Sequence, residues 1–313
     1  MLRFIYRRLL TLIPLMLAVS LLVFLVLRLG ENDPAMAYVR LSGIPPTDQA
    51  LEAAREHLGL DRPLAVQYLD WLWRAIRLDF GISYVTGTPV LERILYYLPN
   101  TLYLAGVSLL ITIGLSLPLG IWAALKRDRW PDHLTRAMAF IGVSTPNFWL
   151  GFVLVYIFSV KLGWLPPMGK GGPSHVIMPA FTLSLMSMCI NTRLIRGSML
   201  EQMNTRSVLY ARVRGVLEKW VVGRHILKNS LIPVVTAVGM HIGELMGGAV
   251  IAEILFAWPG VGRFAVSSIY NRDFPVMQCF ILMMTFIFVL CNLAVDILYA
   301  WLDPRIRYEG GAS

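Results

Sequence analysis

Runs of twenty or more apolar residues recur along the chain, separated by shorter polar stretches. The first, residues 9–29, is long enough to cross about 30 Å of hydrocarbon as a helix. Similar runs cover Thr101–Leu125, Ala137–Val160, Val176–Ile195, Leu231–Phe256 and Pro275–Trp301. The pattern predicts an all-α membrane protein with six transmembrane helices. Two spans carry internal breaks: Pro118 predicts a kink in the second, and Ser144-Thr145-Pro146-Asn147-Phe148-Trp149 is a polar break in the third. A signal peptide competes for the first run, since Ala35-Met36-Ala37 offers an A-x-A site. The run exceeds the roughly 7–15 apolar residues of a signal sequence, so it is read as a span.

The one sizeable polar block, residues 30–98, predicts a small helical insert outside the membrane. Thr47 is placed to cap a helix ending near Gly59, Pro63 to open a second bearing Leu64, Tyr68, Trp71, Leu72 and Ala75 on one face, and Thr88-Pro89 to begin another. Such an insert is too small to bury much core alone and is expected to pack on the membrane domain. The chain thus divides into residues 1–29, the insert 30–98, a core of five further spans over 99–302, and a polar tail 303–313. Within the core lies a polar loop, 197–230.

Charge orients these segments. Basic residues beside spans mark the cytoplasmic side. With both termini inside, 17 of the 28 Lys and Arg fall on that side, eight of them between Arg193 and Lys228. The net charge of +9 is therefore topological and implies no nucleic-acid partner. In that basic stretch, Ser207–Arg214 has the composition of a short amphipathic helix, with Val208, Ala211 and Val213 opposite Arg212 and Arg214 and Gly215 stopping it. An ordinary positive-inside loop is the plainer reading.

Candidate chemistry is sparse. No G-x-x-x-x-G-K-[ST] loop is present to hold ATP phosphates, and no catalytic triad is apparent. Cys189, Cys279 and Cys291 sit in apolar runs and read as packing residues. Ionisable groups inside spans mark pathways or buried pairs. His241 and Glu244 lie three apart on one face of the fifth span and, with Met240, could offer donors to Ni²⁺; a hydrogen-bonded packing pair beside Gly243, Gly247 and Gly248 is the reading preferred to it. Asn292 and Asp296 share a face of the last span and read as an interhelical hydrogen-bonding pair.

Several stretches resemble one family in order. Ala211, Gly215 and His225–Pro233 (HILKNSLIP) resemble the cytoplasmic signature loop of ATP-binding-cassette importer permeases of the peptide and nickel branch. Leu58–Leu72, Leu78–Tyr84, the S-T-P-N-F-W break, Glu253–Gly262 (EILFAWPGVG) and Arg272-Asp273-Phe274-Pro275 resemble further segments of that branch. Gly239–Gly248 (GMHIGELMGG) and Tyr270–Phe280 bring the chain nearest the B-type permease subunit of nickel importers.

The resemblance implies a bacterial cytoplasmic (inner) membrane subunit that is not itself an enzyme and holds no cofactor. Its expected partners are a second homologous permease, two ATPase subunits that bind ATP and Mg²⁺, and an extracytoplasmic substrate-binding protein. Tyr210, Ala211, Arg212, Arg214 and Gly215 are expected to couple to the ATPase. Glu253, Trp258, Pro259, Gly260, Arg272 and Asp273 are expected to form an extracytoplasmic gate. Nickel or a nickel chelate is the first expectation for the cargo, di- or oligopeptide the alternative. Gly215→Asp is expected to spare insertion and abolish transport. A non-transporting membrane scaffold and an ion-coupled carrier are the readings from other classes; the first expects no ATPase partner, the second a self-contained site between repeats.

Overall fold

The fold follows from how the apolar runs satisfy their backbone. In hydrocarbon every N–H and C=O must be bonded within its own segment, which leaves helices as the answer to long apolar sequence. The structure, a computed structural model, describes residues 2–30 and 33–302, and among these no strand occurs. The expected all-α membrane fold is what is found. Four helices among the described residues are long and apolar enough to span a bilayer: Leu2–Leu29 (α1, apolar from Leu10), Val90–Leu125 (α5), Ser174–Met203 (α8) and Phe274–Leu302 (α13, apolar to Val295). The expected fifth span is the 28-residue helix Lys228–Leu255 (α11), about 42 Å long at 1.5 Å per residue.

The expected third span is a broken one. Trp130–Ser144 (α6) and Asn147–Leu154 (α7), which continues as a π-helical turn to Lys161, meet at an angle of 106°. Thr145 and Pro146 sit at the break in extended conformation, because the residue before proline is driven out of the helical region. Pro118, by contrast, does not interrupt α5.

Other boundaries move for physical reasons. α5 begins at Val90, eleven residues before the expected span, directly after the Thr88-Pro89 start, and it runs on through Pro99 without a break. α8 continues to Met203, past the expected end at Ile195, so Arg193 and Arg196 of the basic stretch lie on that helix. The segment 257–274, expected as a loop, contains the helix Val261–Tyr270 (α12).

The insert supplies Pro34–Leu41 (α2), Asp48–His57 (α3) and Leu64–Ile76 (α4). Thr47 caps α3 as expected, accepting from the Ala50 N–H at 3.3 Å, and Gly59 (φ 64°) follows its end. Asp33 caps α2 and also holds Arg55 at 2.8 Å.

The chain forms two compact units. One takes Leu102–Trp258 and residues 290–302; the other takes Tyr6–Thr101, apart from residues 31 and 32, and Pro259–Val289. In the first, two apolar clusters dominate: Leu104, Val176, Ala180, Leu183, Leu245, Ala249 and Ala252 around Trp258, and Ala124, Ile195, Met199, Val221, Ile226 and Val234. Small residues let its helices close. A Cβ on Gly142 would stand 2.3 Å from Cys189 Sγ, and one on Gly239 would stand 2.0 Å from Val295 Cγ1. In the second unit, Val90, Ile94, Val261, Val276 and Cys279 form the core. Cys189 and Cys279 are buried, free thiols within apolar packing.

Candidate functional site

The basic stretch after α8 is folded throughout. Asn204 ends α8, extended Thr205 opens Arg206–Val213 (α9), and a single turn Glu218–Trp220 (α10) leads through a π-helical turn, Val221–Leu227, into α11. Gly215 (φ 74°) closes α9: its N–H donates to Arg212 O at 2.9 Å, and the Val216 N–H donates to Ala211 O at 3.1 Å. The 6→1 bond reverses the chain within two residues. A bidentate contact from the Arg212 guanidinium to Glu218, 2.6 Å at its shorter arm, ties α9 to α10. That hydrogen bond holds the Glu218 carboxyl below its ordinary value and raises Arg212.

This knob has two faces. Val208 and Ala211 are buried in the cluster of Ala124, Ile195, Met199, Val221, Ile226 and Val234, so its inner face is one packed body with α5, α8 and α11. The outer face is apolar as well as basic: Tyr210 is 66% and Val213 77% exposed, with Leu209, Leu217 and Trp220 also open. The expectation that Val213 sits on the inner face is corrected; only Val208 and Ala211 have the spacing to reach it. Of the expected coupling residues, Tyr210, Arg212 and Arg214 face outward, Ala211 inward, and Gly215 makes the turn. Sequence reasoning missed Leu209, Leu217 and Trp220. Their signal was apolar residues recurring in a basic stretch that does not bury them.

A second support lies at the start of α6. The fully buried Asp132 accepts from Arg196 Nη2 at 2.7 Å, from Arg196 Nε, and from the Asp128 N–H at 2.9 Å. It braces α6 against α8. Neither residue was a sequence candidate, because each looked like an ordinary loop charge.

Beside the knob's cluster, α5, α8, α11 and α13 enclose an open cavity of about 440 Å³. Ile113, Leu117, Leu231, Val234 and Val238 wall it, with Ser116 its hydroxyl.

The expected gate residues divide between the units. In the first, α11 ends as α9 does: the Trp258 N–H donates to Glu253 O at 2.8 Å across Ala257, which stands at φ 49°. Glu253 is fully buried, and Trp258 is buried against Tyr103, with ring centroids 6.2 Å apart. In the second unit, Pro259 O accepts from Asn100 Nδ2 at 2.6 Å, and Gly260 precedes α12 in extended conformation. The chain therefore reverses at Ala257, ahead of Pro259-Gly260.

α12 ends on Arg272 (φ 57°) in the same motif, the Asp273 N–H donating to Ser268 O at 2.8 Å. The buried Asp273 carboxylate then accepts from Ser83 Oγ at 2.5 Å and from the N–H groups of Tyr84 and Val85 at 3.2 and 3.4 Å. The segments Leu78–Tyr84 and Arg272–Pro275 meet there, and burial pushes the Tyr84 phenol up to about 12.

Of the expected pathway residues, His241 is buried in α11, whereas the side chains of Met240 and Glu244 lie outside the described residues, as do Asp296 and the tail 303–313. Among the described residues no three His, Cys, Asp or Glu side chains gather where a metal could bind.

Comparison with known proteins bears on the assignment. The chain is 42% identical over 310 residues, 99% of its length and 100% of theirs, to the glutathione transport system permease proteins GsiC of Escherichia coli K12 and Salmonella typhimurium LT2. Among solved structures it resembles the inward-facing MetNI methionine ABC transporter, with a TM-score of 0.58 at 18% identity over 68% of this chain and 97% of that one. It also resembles an amino acid ABC transporter with histidines, with a TM-score of 0.52 at 15% identity over 68% and 94%. Residues 1–105 match the N-terminal component of binding-protein-dependent transport system membrane proteins. With residues 116–308 matching the binding-protein-dependent transport system inner membrane component, the chain belongs to that family of multi-pass ABC importer permeases.

Proposed function

We propose that this chain is one of two permease subunits of an ATP-driven importer for a small peptide of the size and polarity of glutathione. End-to-end similarity to GsiC, at 42% identity, carries this reading. It favours the peptide alternative over nickel, which rested on Met240, His241 and Glu244 in one helix. The chain supplies no nucleotide site, so two separate ATPase subunits bind ATP and Mg²⁺, and a substrate-binding protein delivers cargo from outside. Both termini and the knob face the cytoplasm.

In this mechanism the outer face of the knob, with Leu209, Tyr210, Val213, Leu217 and Trp220, is covered by the ATPase. Exposed apolar surface of this kind on a basic rim is what a protein partner buries. Closure of the ATPase pair displaces the knob, and the packed cluster beneath it passes the displacement to α5, α8 and α11. The expected gate residues then act from the outer end of α11 and the start of α13.

Uptake of labelled glutathione, a labelled dipeptide and radioactive nickel, compared in cells lacking the chain and in cells with it restored, tests the proposal. Glutathione or dipeptide uptake is expected to return with the chain, nickel uptake to stay unchanged. Restoration of nickel uptake alone would overturn the peptide reading.

A further inference from the structure

The helix α4 has three arcs. Gln67, Tyr68, Trp71, Leu72 and Ala75 turn inward, while Asp70, Arg74 and Arg77 make a polar outward arc. Between them runs a second apolar arc, Val66, Leu69, Trp73 and Ile76, at the i, i+3, i+7, i+10 spacing of one helix face. This arc is uncovered: Leu69 is 61%, Trp73 58% and Ile76 65% exposed. An isolated exposed leucine requires no account, but a full helix face of large apolar residues does.

The depth of α4 against α1 says what covers it. Tyr68 hydrogen-bonds through its hydroxyl to Ser20 Oγ at 2.8 Å, and its ring meets Phe24 edge-on at 5.4 Å, with Trp71 at 6.1 Å from the same ring. Ser20 and Phe24 lie inside the apolar span Leu10–Leu29. At 1.5 Å per residue Phe24 is about 7 Å, and Ser20 about 13 Å, below its Leu29 end. Phe24 lies at the depth, roughly 5–10 Å, to which an amphipathic helix buries its apolar face below the boundary of acyl chains and headgroups, and the Tyr68 hydroxyl reaches past it to Ser20. α1 also exposes Leu22, Val26 and Leu29 over the same depth, on its side away from Ser20 and Phe24. The Arg77 guanidinium sits 4.4 Å over the Trp73 ring, so the cation stands directly against the apolar arc.

We propose that α4 lies in the membrane interface, with Val66, Leu69, Trp73 and Ile76 among the acyl chains of the leaflet at the Leu29 end of α1. The polar arc of Asp70, Arg74 and Arg77 faces water and headgroups. The insert is then a membrane-seated element, and this assignment is independent of which cargo the importer carries.

The test uses the assembled transporter in lipid nanodiscs, with Cys189, Cys279 and Cys291 replaced by Ala and single cysteines placed by Leu69→Cys, Trp73→Cys, Asp70→Cys or Arg74→Cys. An environment-sensitive fluorophore at each is quenched either by phospholipid bearing a nitroxide near the headgroup or by aqueous iodide. At 69 and 73 the nitroxide lipid is expected to quench at least twofold more than iodide, and at 70 and 74 the order reverses. Iodide quenching at 69 and 73 equal to that at 70 and 74 would overturn the proposal. Protection of 69 and 73 from both quenchers, which is what cover by the second permease or the binding protein produces, would overturn it too. Benzoylphenylalanine at position 73, photolysed in intact membranes, needs no purified or labelled variant: lipid adducts support the seat, and a protein adduct in their place refutes it.

Discussion

Replacing Asp132 probes how α6 is held to α8. The carboxylate is fully buried and accepts both Arg196 nitrogens and the Asp128 N–H, with Arg136 Nε a further 3.5 Å away. Arg196 itself keeps only 18% of its side chain exposed. Asp132→Ala therefore leaves a mostly buried guanidinium with no counter-charge, a change that costs about 3–5 kcal/mol in buried pairs. The partial exposure of Arg196 places the expectation at the lower end, about 3 kcal/mol. Asp132→Asn keeps an acceptor for the Asp128 N–H and loses the charge, for about 1–2 kcal/mol. The pair Asp132→Leu with Arg196→Met removes both desolvation and attraction and is expected near neutral, within about 1 kcal/mol of the parent. Thermal unfolding of the detergent-solubilised transporter gives the ranking; at roughly 2–4 °C per kcal/mol, the Ala variant melts about 6–12 °C lower. With Asp132→Leu and Arg196→Met also made singly, parent, singles and pair form a double-mutant cycle whose coupling energy should exceed about 2 kcal/mol. If the double variant is as destabilised as Asp132→Ala, the site depends on shape and the electrostatic argument fails.

Gly215→Ala meets open space, since nothing lies within 4 Å of the added Cβ, and suffers only the left-handed φ, about 1–2 kcal/mol. Substrate-stimulated ATPase is expected to fall in the order Gly, Asn, Ala, because asparagine tolerates that region best of the substituents; Gly215→Asp should then behave nearer to Asn than to a null, milder than the sequence alone suggested. Gly239→Ala drives a Cβ to 2.0 Å from Val295 Cγ1, so it should destabilise by about 1–3 kcal/mol in the same unfolding assay, and Val295→Ala should restore part of the loss. Glu218 is exposed, so Glu218→Gln should cost under about 1 kcal/mol. Its folded pKa lies below the unfolded one, so the Arg212 pair contributes in full above the ordinary Glu range near 4.3 and is lost only as pH falls through the lowered folded value. ATPase coupling in the parent and in Glu218→Gln should therefore differ by a constant small factor from pH 6 to 8, with the same pH profile.

Much of the fold was legible because hydrocarbon permits few solutions. Apolar runs of twenty residues had to be helices, and the Thr47 cap, the Gly59 and Gly215 stops and the break at Thr145-Pro146 each carry a local chemical cause. Turns made by unsuited residues were hidden. Leu78, Ala257 and Arg272 hold left-handed φ of 62°, 49° and 57° at the ends of α4, α11 and α12, where sequence reading looks for glycine. This is why α12 was read as loop. At the candidate site, the knob's helix and its glycine were visible, but its outward face was not: whether Val213 and Trp220 point in or out depends on the path of α8 through Met203, which the charge pattern ended at Ile195. Asp132 and Arg196 are 64 residues apart, and nothing local marks them as a pair.

The architecture beneath the knob limits what it can do. Val208 and Ala211 share a buried cluster with Ile195 and Met199 of α8 and Val234 of α11, and close-packed interiors shift between discrete arrangements more readily than they deform. Displacement at Tyr210 or Val213 is therefore expected to reach the knob ends of α8 and α11 together. Asp132 extends the same body to α6, so α6 and α8 are expected to move as one while the 106° break at Thr145-Pro146 leaves α7 outside that brace. The Arg212–Glu218 pair is too exposed to transmit much force. Stiffness comes from the apolar cluster, which predicts that Val208→Ala, a buried deletion, impairs coupling more than loss of the ion pair. Equal coupling in the two variants, measured as transported substrate per ATP hydrolysed, would show that the surface charges and not the packed core carry the motion.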